Sequence, residues 1–124
     1  MFEIFSFTQG QLQDYYNNAL EDFQIAQNSH IPKVVFKFCY DALLKFAIFI
    51  CAKNNLRVKS RQGHHVELLN KMAEILNNMD IKVIGNEIRN KRNIDLYSGG
   101  GTITKKEAKE YMKWLESVVS NINS

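Results

Sequence analysis

Arg89, Asn90, Lys91, Arg92 and Asn93 crowd into one stretch, EIRNKRNIDLYSGGG, which runs from Glu87 to Gly101 and ends in Tyr97, Ser98 and three glycines. Guanidinium groups at such density bind anions bidentately or pair with carboxylates, and the helical phase decides which side chains are turned inward. Ile81, Ile84 and Ile88 mark the apolar face. At about 100° per residue Arg92 falls close to Ile88, Arg89 and Asn93 flank that face, and Lys91 points away. Gly85 on the same side allows a neighbouring helix to come close. Arg92 thus stands where an aliphatic residue is expected. It must reach an acidic partner, with Asp14, Glu21 or Asp22 of the first helix available, or a carbonyl cluster, or a pocket that takes anions.

His64 and His65 are the other titratable pair. Adjacent histidines do not share a helix face as an i,i+4 metal pair does, and no cysteine is close in sequence, so no metal site is expected. They either open a helix or supply proton transfer near neutral pH. SGGG lacks the Lys-Ser/Thr of a phosphate loop, and Cys39 lies in an apolar run that suits an inert thiol. No cofactor motif is present.

Charge is distributed unevenly along the 124 residues, although the formal net charge is only +3. No Lys or Arg precedes Lys33, whereas Lys33 to Arg92 holds twelve basic and five acidic residues. Lys53, Arg57, Lys59 and Arg61 form the tightest cluster, KNNLRVKSR, which suits a phosphate backbone or a solvated face. The amino terminus, MFEIFSFTQ, has no basic segment and is broken by Glu3, so it is not a signal peptide. Val34 to Ala52 is apolar, but Lys37, Asp41 and Lys45 recur every fourth residue, at roughly 2.5–3.5 kcal/mol each in a bilayer centre. It reads as a central helix with one thin polar stripe. Two free cysteines, Cys39 and Cys51, and these features point to a cytoplasmic protein.

The elements that position these residues are all helical. Periodicity gives helices over roughly 8–28, 32–53, 64–77 and 80–97, and a fifth from Thr104, with no convincing strand and a polar, basic loop over 54–63. Pro32 suits a first helical turn, Asp80 an N-cap, and Thr104 with Glu107 a capping box. Phe36, Phe38, Phe46 and Phe49 belong to the core. The fold class is all-α: one domain over 1–124, a five-helix, mostly antiparallel up-and-down bundle. Short connections then gather Thr8, Lys53, His64, Tyr97 and Thr104 at one end, and His30, Asn78 and the carboxyl terminus at the other.

In this order and spacing, the Arg89–Tyr97 stretch, the glycine loop, CYDALLKFA and GHHVELLNKMAEIL resemble the HEPN domains, small all-helical proteins. The resemblance spans about Tyr16 to Val119. The family motif is Arg, four to six residues, then His, with a polar residue after the Arg. Arg92 and Asn93 match the first two positions, and Tyr97 stands at the histidine. The resemblance implies a homodimer whose two motifs meet in a cleft, cleaving RNA without metal through the ribose 2′-hydroxyl. Many members are toxins partnered by a minimal nucleotidyltransferase. On that reading Arg92, Asn93 and Tyr97 are catalytic, while Arg89, Lys53, Arg57, Lys59, Arg61, His64 and His65 bind nucleic acid. Tyrosine, with a reference pKa of about 10, is a poor general base, so His64 or His65 is the available substitute. The alternative is a non-catalytic RNA- or nucleotide-binding module, or the helical partner of a nucleotidyltransferase.

Overall fold

A computed structural model describes residues 2–59, 64–97 and 103–123, with the side chains of 95–97 outside the description. Its elements are β1 (Phe2–Ile4), α1 (Gln9–Asn28), α2 (Pro32–Lys53), β2 (Leu56–Val58), α3 (His64–Leu76), α4 (Asp80–Tyr97) and α5 (Lys105–Ile122). The fold is all-α apart from the small sheet, and its five helices form a mostly antiparallel bundle.

Local chemistry sets the helix ends. Thr8 and Gln11 close a capping box on α1, and Thr104 and Glu107 close another on α5. Pro32 opens α2, where its missing N–H costs nothing. Asn77 takes a left-handed backbone (φ 51°), and the Asn78 and Asn77 N–H groups donate back to the Ala73 and Glu74 carbonyls, a Schellman stop for α3. The Asp80 N–H donates to Asn78 Oδ1 at 3.1 Å, so the side-chain acceptor at the start of α4 lies two residues before the expected cap.

α2 is the central rod, buried along most of its length. Phe36, Phe46 and Phe49 are buried, and Phe38 packs against the same core half-buried. The polar stripe predicted on α2 is satisfied locally: Lys37 pairs with Asp41 at 3.3 Å, and Lys45 with Asp22 of α1 at 2.7 Å. No helix among the described residues is long and apolar enough to cross a membrane.

Helix directions depart from the expected grouping of ends. α1 and α2 are antiparallel, with Phe23 against Phe46 and Tyr16 against Phe49. After α2, Asn55 adopts a positive φ of 62° and turns the chain into β2, which pairs antiparallel with β1 in the register Phe2↔Val58, Glu3↔Arg57, Ile4↔Leu56. The supposed loop therefore holds a strand. β2 carries the chain back before α3 begins, so α3 starts beside the middle of α2, at Tyr40, and runs in the same sense. α4 then returns along α3, with Gly85 against Leu69, and α5 returns along α4, with Tyr111 bonded to Glu87 and Lys91 to Glu107. The carboxyl-terminal Asn123 accepts from the Tyr16 hydroxyl at 3.0 Å, at the Thr8–Lys53 end, and the Lys105 end of α5 lies beside His30. Thr104 is thereby removed from the end that holds Lys53, while His64 still shares a cavity with Ala52 and Arg57.

Candidate functional site

Tyr40 is fully buried in the middle of α2, and a buried hydroxyl needs a partner. His65, in the first turn of α3, provides it: Tyr40 Oη and His65 Nδ1 lie 3.1 Å apart, with the rings edge to face. From α4 the Arg92 guanidinium stands 5.5 Å from the centre of the Tyr40 ring. Arg89, one turn earlier, acts electrostatically on the same pair. Three helices thus bring two guanidinium groups, an imidazole and a phenol together.

The cluster is short of negative charge. Asp22, a possible partner for Arg92 from the sequence, is taken by Lys45. Among the described side chains neither Arg89 nor Arg92 forms an ion pair, and the Arg89 Nε is buried without a hydrogen-bond acceptor. An ionic acceptor is the natural complement of such a donor set.

Proton affinities follow from this setting. Burial lowers the His65 pKa, and the electrostatic influence of His64, Arg92 and Arg89 lowers it further, against a weaker opposing effect of Asp41. Imidazole is therefore held neutral at pH 7, the form that accepts a proton. Burial raises the Tyr40 pKa despite the two arginines, so the phenol stays protonated. The imidazole tautomer sets the direction of this bond: with the proton on Nδ1 that N–H donates to Tyr40 Oη and Nε2 keeps its lone pair, and with the proton on Nε2 the Tyr40 O–H donates to Nδ1.

The other sequence-predicted residues divide. Asn93 is half-buried on the Arg89 side of α4, four residues on from Arg89. The His64 ring lies 5.1 Å from the His65 ring, and His64 lines a cavity of about 250 Å³ with Arg57. Arg57 is engaged: it pairs with Glu3 across the sheet and stacks 4.3 Å from the Phe5 ring centre. Lys53 turns away, over Phe49 and toward a cavity with Gln9 and Asn123. Lys59 is exposed, and Arg61 and the Tyr97 side chain lie outside the described residues. Arg57 and Lys53 therefore line different cavities. Tyr40 is the residue that sequence reasoning passed over. Its signal was a tyrosine in an otherwise apolar run, whose hydroxyl had to find a partner. Cys39 and Cys51 are buried free thiols, their pKa values pushed by burial to about 12 and about 11.

No family model, characterised protein or solved structure matches the chain.

Proposed function

We propose that this chain is a HEPN-like, metal-independent endoribonuclease of the cytoplasm, acting as a homodimer, and that the Arg89–Arg92–His65–Tyr40 cluster is its phosphodiester site. The observation that carries the reading is the pairing of two guanidinium groups, without an ion-pair partner among the described side chains, with a histidine held neutral beside them. In the proposed reaction His65 takes the proton of a ribose 2′-hydroxyl. The oxygen attacks the adjacent phosphorus, the bond to the 5′-oxygen breaks, and that oxygen leaves with a proton from water. The products are a 2′,3′-cyclic phosphate and a 5′-hydroxyl. Arg92 and Arg89 offset the charge that gathers on the phosphoryl oxygens. Asn93 orients the phosphate or ribose, and Tyr97, at the motif's histidine position, positions the substrate.

That tyrosine favours a second reading: a non-catalytic RNA- or nucleotide-binding module, or the helical partner of a minimal nucleotidyltransferase. Incubating purified protein with total RNA and tRNA in EDTA separates the two. Cleavage by the wild type that disappears in a folded Arg92→Ala variant is the expected result. RNA that is bound but left intact by the wild type would establish the binding module instead.

A further inference from the structure

The cavity behind His64 is separate from the phosphodiester cluster but adjoins it. Phe7, Tyr15, Ile48, Leu56, Val58 and His64 line it, and its volume is about 250 Å³. Phe7 and Tyr15 meet edge to face at 5.6 Å, which gives the cavity aromatic walls, while α2 and β2 contribute aliphatic ones. Its polar groups are Tyr15, His64 and Arg57, the last paired with Glu3, and no carboxylate is among its described lining residues. Full-sized small-molecule pockets run from roughly 300 to 1,000 Å³, so this one suits a single ring system and not a whole nucleotide. Across the His64 ring stands His65, and beyond it Arg92 and Arg89.

A ligand that fills both places has a flat apolar face, a polar edge, and an anion that lies beyond the His64 and His65 rings. We infer that the cavity holds one unstacked base of single-stranded RNA whose neighbouring phosphate lies on Arg89 and Arg92. The inference rests on the phosphodiester reading above and adds the substrate class: an RNA strand with a base free to leave the stack, not a duplex. Aromatic walls of this kind stack on any base, so selectivity among bases falls to edge contacts with His64 and Tyr15.

The test uses a short 2′-O-methyl single strand, which cannot be cut, and the same strand with one abasic position, titrated by fluorescence anisotropy. The wild type is expected to bind the complete strand roughly tenfold more tightly than the abasic one. Two variants probe the cavity from different elements: Ile48→Trp fills it from α2, and Phe7→Ala removes an aromatic wall. Both are expected to bring the ratio close to one while the abasic strand binds as before; if Ile48→Trp fails to fold, Phe7→Ala decides. A wild-type ratio near one, with abasic binding still dependent on Arg92, overturns the base cavity and leaves the phosphodiester site standing. A ratio unchanged in the folded variants overturns it as well. Failure of the wild type to bind either strand removes the phosphodiester site and this inference together.

Discussion

His65 carries the argument at the scale of single residues, because its charge state is set by neighbours that can be removed one at a time. Burial, the neighbouring His64 and the cations Arg92 and Arg89 hold its pKa below the usual histidine value, near 6.5. Arg92→Ala takes away one of those cations, so the His65 pKa is expected to rise, as followed by NMR titration of the imidazole C–H signals. An unchanged titration would mean that Arg92 does not face this ring. The sign for stability follows from the same shift. A histidine with a lowered folded pKa binds fewer protons than the unfolded chain, so its contribution is complete above about pH 6.5 and is lost as pH falls toward the folded value. A folded His65→Gln variant should therefore show a flatter stability profile over that acidic interval. Tyr40→Phe leaves the ring in place and strips its hydroxyl from a fully buried position. It should cost about 1–3 kcal/mol in denaturant unfolding, since His65 Nδ1 loses its partner. The position of Arg92 on the inward side of α4 was legible from the isoleucine spacing alone. The Tyr40–His65 contact was not, because it joins residues 25 apart through the return path of the chain.

Among the elements, caps and close approaches are where sequence and structure agree best. Thr104 and Glu107 form the predicted capping box, and Thr104→Ala should lower stability by about 1 kcal/mol in thermal or chemical unfolding. Gly85 sits where a Cβ would lie 3.0 Å from Leu69 Cδ1, and Leu69 is fully buried with little room to yield. Gly85→Val should accordingly cost about 1–3 kcal/mol by overpacking the α3–α4 contact, and a variant as stable as the wild type would show that the helices can separate freely. The two-stranded sheet marks where element-level reading stopped. Its strands, Phe2–Ile4 and Leu56–Val58, have three residues each, too few for alternation to stand out. They also lie more than fifty residues apart, so no turn signature joins them. Yet this small sheet sets the direction of α3, and missing it misplaced Thr104 and the carboxyl terminus relative to Lys53. All five helices were visible from their long apolar stripes, and Pro32 and the Thr104–Glu107 box marked two of the starts.

At the scale of the whole molecule, a formal charge of +3 says little until the fold distributes it. Glu3 occupies Arg57, and Lys53 faces another cavity, so binding to RNA should depend chiefly on the cluster between α2, α3 and α4. Each phosphate contact on a single strand contributes about −0.7 to the slope of log affinity against log salt concentration. Arg92→Ala should therefore reduce that slope by about 0.7, whereas Lys53→Ala should leave it unchanged, both measured by anisotropy over a salt series. The bundle itself is indifferent to chemistry; what distinguishes this one is a buried phenol–imidazole pair faced by two arginines.

The measurement that bears most directly on that pair is single-turnover cleavage of one defined single-stranded RNA in EDTA, with the product ends identified by mass spectrometry. The wild type is predicted to release a 2′,3′-cyclic phosphate, while folded His65→Asn loses cleavage by at least about a hundredfold and still binds the strand. Cleavage of undiminished rate by His65→Asn, or no cleavage by well-folded wild-type protein, would contradict the assignment of His65 as the group that takes the proton.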